Sequence, residues 1–136
     1  MGATTMGPRI VGGLFLVTGG VHLGLVAADP QVYAPFADRG LFGFVRSGWR
    51  DIVMADPAVW GLLLAAGEIL LGVLLLTGGR AARWGWTGAI GFHVLLMLFG
   101  WGFWAWSLPV LAVLVVLARP DFAQARTAPR ATHPSG

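Results

Sequence analysis

AAGEILLGVLLLTGGRAARWGWTGAIGFHVLLML, residues 65–98, holds two apolar runs joined by a short arginine-bearing link, and each run carries one ionisable side chain, Glu68 and then His93. A run of about 20 apolar residues can cross a bilayer as a helix. A carboxyl or imidazole inside hydrocarbon is costly unless it pairs, stays neutral or binds something, so each of these groups needs a reason to be there. Outward from this stretch, apolar segments recur at about residues 10–28, 58–77, 84–101 and 103–118, and the first contains a third such group, His22. The last segment is short and holds Pro109. If Ser107 capped a helix starting at Leu108 and Pro109, too few residues would remain to cross, so the turn at 103–106 continues the helix with a kink at the proline. The expected fold is all-α, a four-transmembrane-helix bundle.

Composition agrees. The chain has 136 residues, of which 57% are hydrophobic and 11% charged, and a mean hydropathy of +0.76. A soluble domain carries roughly 25% charge. With no cysteine there are no disulfides, thiolate metal sites or iron–sulfur ligation, and any redox role needs a bound cofactor. The net charge of +3 does not indicate nucleic acid, because all nine basic residues are arginines gathered near the ends of apolar segments, where topology explains them. Residues 1–118 read as the membrane domain. Residues 119–136, rich in Ala, Pro, Thr and Arg, read as a disordered cytoplasmic tail.

Arginine placement sets the expected orientation. Arg9, Arg80, Arg83, Arg119, Arg126 and Arg130 fall on one side of four crossings, which the positive-inside rule makes cytoplasmic, so the chain is expected in the cell membrane with both termini inside. The loop at 29–57 carries Arg39, Arg46 and Arg50 but also Asp29, Asp38, Asp51 and Asp56, and belongs outside. Trp49, Trp60, Trp101, Trp104 and Trp106 fall at the outer interface, Trp84 and Trp86 near the inner one. A signal peptide competes for the N-terminus, since Arg9, an apolar run and VAA before Asp29 suit a cleavage site. Against it, the run is longer than the usual 7–15 residues or so and contains His22 and a Gly20-x-x-x-Gly24 pair suited to close helix packing.

Within the outer loop, Leu41, Phe44, Val45, Gly48, Trp49 and Ile52 recur at helical spacing across residues 39–54, with Arg39, Arg46, Ser47, Arg50 and Asp51 toward the other face. This predicts an extracytoplasmic amphipathic helix between the first and second spans. It lies on the outer membrane surface or caps the bundle, where it either only seals it or forms a lid, with Arg46, Trp49 and Arg50, over a lateral ligand entrance. Asp29-Pro30 and Asp56-Pro57 have the cap-then-proline order of helix starts.

Residues 65–98, with Glu68, Gly72, Arg80 and Arg83 in place, resemble the DoxX-like family of small four-helix membrane proteins, in which a glutamate precedes a small-residue and leucine run, an Arg-bearing loop and a Gly/Ala-rich third span. The first span's opening at residues 12–16 fits more loosely. The resemblance extends over about residues 9–118, while the long outer loop and GWGFWAWSLP at 100–109 lie outside the pattern. It implies a bacterial membrane component associated with quinone-linked sulfur oxidation or oxidative-stress complexes, in a family whose members mostly lack an assigned activity.

At about 1.5 Å per residue, Glu68 lies roughly 15 Å below the outer end of its span, His93 roughly 14 Å above the inner end of its own, and His22 roughly 9 Å below the outer end of the first. Glu68 and His93 therefore share the midplane and are expected to touch or to share a ligand, with His22 a turn higher. No P-loop, nucleophile elbow, HExxH helix or dinucleotide fingerprint is present, and no catalytic or metal-ligating set is assigned. Three classes remain. One is a redox-associated subunit binding a quinone-like or other hydrophobic ligand near Glu68 and His93. Another is a haem-b protein using His22 and His93 as axial ligands, weakened by their difference in depth. The last is a non-catalytic assembly protein in which the polar trio is interhelical glue. Expected partners are the bilayer and other membrane subunits or further copies of the chain.

Overall fold

A computed structural model describes residues 6–127, which are almost wholly helical, with no strand among them. Four helices are long: α1 (Met6–Ala28), α4 (Pro57–Thr77), α5 (Gly79–Leu96) and α6 (Trp101–Thr127). Two are short, α2 (Phe36–Arg39) and α3 (Gly43–Gly48), and lie between α1 and α4. The long helices pack in chain order, α1 on α4, α4 on α5 and α5 on α6, with a lighter contact from α6 back to α1. Three of them, α1, α4 and α6, are long and apolar enough to cross a membrane. The fourth, α5, has 18 residues, about 27 Å of helix, but Arg80 and Arg83 sit in its first two turns.

Local chemistry sets the boundaries. Asp56 caps α4, its carboxylate accepting from the Val59 N–H at 3.3 Å with Pro57 in the first turn. Asp29 likewise accepts from Gln31 N–H and opens a 3-10 turn, Pro30–Tyr33. Between α4 and α5 the link is Gly78 alone, at φ +79°, followed by Gly79 at +57°. Side chains with a Cβ avoid this left-handed region, so the paired glycines permit the reversal.

The α1–α4 contact explains the small-residue pattern. On α4 the buried positions Gly61, Ala65, Glu68, Gly72 and Leu75 recur every three or four residues; Gly72 and Leu75 meet Gly12 of α1, Ala65 meets Gly19, and Gly61 meets Val26. A Cβ on Gly72 would lie 2.8 Å from the Gly12 carbonyl, and one on Gly19 would lie 3.0 Å from that of Ala65, so the two backbones touch. In a bilayer, where lipid is as apolar as leucine, such close van der Waals approach holds helices together. The expected Gly20–Gly24 packing pair does not serve this purpose. Both glycines are exposed and face open space, while Gly12 and Gly19, a heptad apart, make the seam.

Other expectations need correction. Residues 39–54 do not form one helix: α2 ends at Arg39, the chain extends through Gly40–Phe42, α3 covers six residues, and a π turn follows at Trp49–Val53. The break has a tertiary cause. Leu41 N–H donates to the Leu98 carbonyl at 2.8 Å, tying the loop to the α5–α6 link, and Arg46 turns inward to donate to the Gly40 carbonyl at 2.8 Å. Phe44 and Ile52, of the expected apolar face, are 70% and 57% exposed and so do not seal the bundle, whereas a helix lying on a membrane surface would leave them so. Likewise α5 gives way to a 3-10 turn at Met97–Phe99, and Gly100 at φ +91° launches α6. As expected, the turn at 103–106 belongs to the same helix and Ser107 is not a cap: it is a wholly buried interior residue of α6, which runs through both Pro109 and Pro120. The helix therefore continues past Ala118 to Thr127, into what reads as tail; residues 128–136 lie outside the described part.

The core gathers Val11, Phe15, Leu75, Trp86, Ala89 and Leu114. Trp86, expected at an interface, faces inward, wholly buried, and its indole N–H donates to Asp121 of α6 at 2.7 Å.

Candidate functional site

The three ionisable groups separate into two environments. On α1, His22 is the centre of the first. Its Nδ1 lies 2.8 Å from the Tyr33 hydroxyl and its Nε2 lies 3.7 Å from Glu68 Oε2 of α4. The Tyr33 ring stacks on the imidazole at 5.8 Å between centroids. Thr18, one turn before His22 on the same face of α1, sets its hydroxyl beside the same carboxyl. That hydroxyl also reaches the Phe15 carbonyl at 3.2 Å, so its single proton serves one acceptor or the other.

Each member is held by its own element. The Asp29-capped turn brings Tyr33 back over α1 and α4, and the Trp49 indole N–H fixes that turn by donating to the Tyr33 carbonyl at 2.8 Å. Trp49 is anchored in turn against Phe36 and Phe99, at 5.7 and 5.0 Å between centroids. Gly61 leaves room for the phenol, since a Cβ there would lie 2.7 Å from Tyr33 Cε2. Of the three lid candidates, Trp49 thus positions Tyr33. Arg46 holds the loop backbone, and Arg50 pairs with Asp38 at the surface, where such a pair adds little.

Hydrogen-bond accounting orients the cluster. Burial first, and then the nearby Glu68 carboxyl, push the Tyr33 phenol above its ordinary pKa, so it stays protonated. Its O–H has no acceptor other than His22 Nδ1 among the described residues. With Tyr33 donating, Nδ1 is the acceptor and the imidazole proton sits on Nε2, aimed at Glu68. The 3.7 Å separation is ion-pair range, about 0.7 Å longer than a hydrogen bond. Glu68 Oε2 is accordingly buried with no hydrogen-bond partner among the described residues. An acceptor left so in a low-dielectric interior is costly and rare, and asks for a partner.

His93 occupies the second environment. It is buried, its Nδ1 lies 2.9 Å from the Ala89 carbonyl one turn back on α5, and Phe15 and Phe92 present ring edges at 6.2 and 5.5 Å. A carbonyl only accepts, so Nδ1 carries the proton. No hydrogen bond or ion pair joins His93 to Glu68 among the described residues. The imidazole paired with Glu68 is that of His22, and the direct Glu68–His93 bond is not formed. Depth is not the reason: close contacts pair Leu75 with Gly85 and Leu71 with Gly88 across the α4–α5 hairpin, and one further turn sets Glu68 level with Phe92, beside His93. What differs is azimuth, because Glu68 is turned toward α1.

Tyr33 is the member of the candidate site that residue spacing did not reveal. The available signal was that it is the sole tyrosine of the chain, four residues after the Asp29-Pro30 cap. The arrangement also bears on haem: His22 spends one nitrogen on Tyr33 and aims the other at Glu68, so it could bind iron only by giving up one of them. No protein-family model, no curated protein and no solved structure matches the chain, so the DoxX-like resemblance stands on the residue pattern around Glu68, Gly72, Arg80 and Arg83 alone.

Proposed function

We propose that the chain is a four-span, DoxX-like membrane protein, both termini cytoplasmic, whose Tyr33–His22–Glu68 relay handles a proton or binds the polar head of a quinone-like hydrophobic ligand for a redox-associated membrane assembly. Support for the fourth span comes from the length of α5 and its tight hairpin with α4. The observation that carries the site is the buried, unpartnered Oε2 of Glu68 facing an imidazole whose other nitrogen is bonded to a phenol from the outer loop. An imidazole can take a proton on one nitrogen and release one from the other, so this order of groups suits transfer between the outer loop and the mid-span carboxyl. The same Nε2–H, or a protonated Glu68, can donate to the carbonyl of a hydrophobic head group. His93, satisfied by its own helix, serves packing in this reading.

The test is Glu68→Gln against Glu68→Leu in the purified protein. Gln keeps size and hydrogen bonding but cannot exchange a proton. We expect Glu68→Gln to keep thermal stability in detergent while losing binding of a quinone analogue and growth of the native host under oxidative stress. If Glu68→Gln retains both and Glu68→Leu unfolds, the acid is interhelical glue and the chain is an assembly protein.

A further inference from the structure

At the opposite end of the bundle from Tyr33, a groove of about 270 Å³ opens between the start of α5 and the end of α6, lined by Arg80, Arg83, Trp84, Thr87 and Phe122. The α5 members fall at i, i+3, i+4 and i+7, one face of a helix, and a different face from the buried Ala82, Trp86, Ala89 and His93. Neither guanidinium has an acid or a hydrogen-bond acceptor among the described residues. Across the groove, the acid of α6, Asp121, gives its Oδ2 to the buried Trp86 indole and forms no ion pair with either arginine. Thr87 donates its hydroxyl to the Arg83 carbonyl at 2.9 Å, leaving the two arginines as the groove's charged groups. Trp84, 72% exposed, and Phe122, 38% exposed, supply apolar walls continuous with the lipid-facing surface of the long helices.

We propose that this groove binds the phosphate of an anionic phospholipid. Paired guanidiniums fork onto phosphate oxygens, and an aromatic residue at the end of a spanning helix sits at headgroup depth. A soluble anion would need the arginines but not the apolar walls; a neutral lipid would use the walls and leave both charges unpaired. The amphiphilic anion uses both. The Trp86–Asp121 bond gives the groove its shape, since it fixes the register of α6 that sets Phe122 opposite Arg83.

The experiment uses the full chain in nanodiscs of phosphatidylcholine with a minor fraction of phosphatidylglycerol, with protein-bound lipid read by native mass spectrometry. Each arginine near an anionic headgroup contributes about fivefold in binding, so R80Q and R83Q should each lower phosphatidylglycerol enrichment about fivefold and R80Q/R83Q about 25-fold. R80K/R83K should keep most of it, and Arg39→Gln in the outer loop should change nothing. Enrichment by the wild type should fall as salt rises; salt-independent enrichment overturns the proposal even if the double variant fails to fold. So does an R80Q/R83Q protein that enriches phosphatidylglycerol like the wild type. If inorganic phosphate raises the thermal midpoint of the wild type but not of R80Q/R83Q, and phosphatidylglycerol is not enriched, the groove is a free-phosphate site and the lipid assignment is wrong.

Discussion

His22 and His93 both lie within long helices, yet they are held in opposite ways. His93 bonds to a carbonyl of its own helix and is surrounded by ring edges, so it could be removed with little consequence for any other polar group. His22 joins three elements: among the described residues the Tyr33 hydroxyl has no other acceptor, and Glu68 Oε2, with no hydrogen-bond partner, has the His22 imidazole 3.7 Å away as its ion-pair neighbour. The comparison teaches that an imidazole in an apolar segment is diagnostic through what it leaves unsatisfied around it. By that criterion the proposed site lies in the His22–Tyr33 half of the α1–α4 seam.

The largest effect should come from breaking the seam itself. Gly19→Leu or Gly72→Leu drives a side chain into backbone less than about 3.5 Å away and should cost about 3 kcal/mol or more, measured by unfolding in mixed micelles. Leucine at Gly20 or Gly24 should stay within about 0.5 kcal/mol. Equal losses at all four positions would mean that α1 uses a different face.

Next in size is the direct contrast of the imidazoles. His22→Phe strands the Tyr33 hydroxyl and takes the ion-pair neighbour from Glu68, and should cost about 2 kcal/mol, whereas His93→Phe should cost under about 1 kcal/mol. A reversed order would return His93 to the site. Double-mutant cycles sharpen this further. Glu68 and His22 should couple by at least about 0.5 kcal/mol, and Glu68 and His93 should be additive within about 0.3 kcal/mol.

The smallest effect is spectroscopic. Tyr33 is the sole tyrosine, so tyrosinate absorbance reports one residue. Its pKa is raised on folding, hence its contribution to stability is complete below the unfolded value of about 10 and is lost as pH rises through the folded value. The absorbance midpoint should lie above that of free tyrosine, and Tyr33→Phe should abolish this loss of stability at alkaline pH. Gly61→Ala, which crowds the phenol, should bring the midpoint back down. A midpoint at the free value in the unaltered protein would remove Tyr33 from the relay.

What could be read beforehand divides along the same line. The apolar lengths of α1, α4 and α6 and the Asp-Pro starts at 29–30 and 56–57 depend on neighbours in the chain, and these were legible. Glu68 and His22 stood out because charge in hydrocarbon is costly whatever the packing. Their pairing was not legible, since counting residues measures depth and says nothing about which way a side chain points. The Leu41–Leu98 bond that divides the α1–α4 loop joins residues far apart in sequence, and no local periodicity reports it.

The single-glycine link between α4 and α5 has a consequence for how the protein is made. A helix whose first turns carry two arginines is a poor substrate for insertion on its own. Only Gly78 lies between them, so the start of α5 stays beside the end of α4 wherever α4 settles. On the four-span reading the two enter as one hairpin, the strongly apolar α4 carrying its weaker neighbour, and lengthening the Gly78–Gly79 turn should slow biogenesis before it weakens the finished protein.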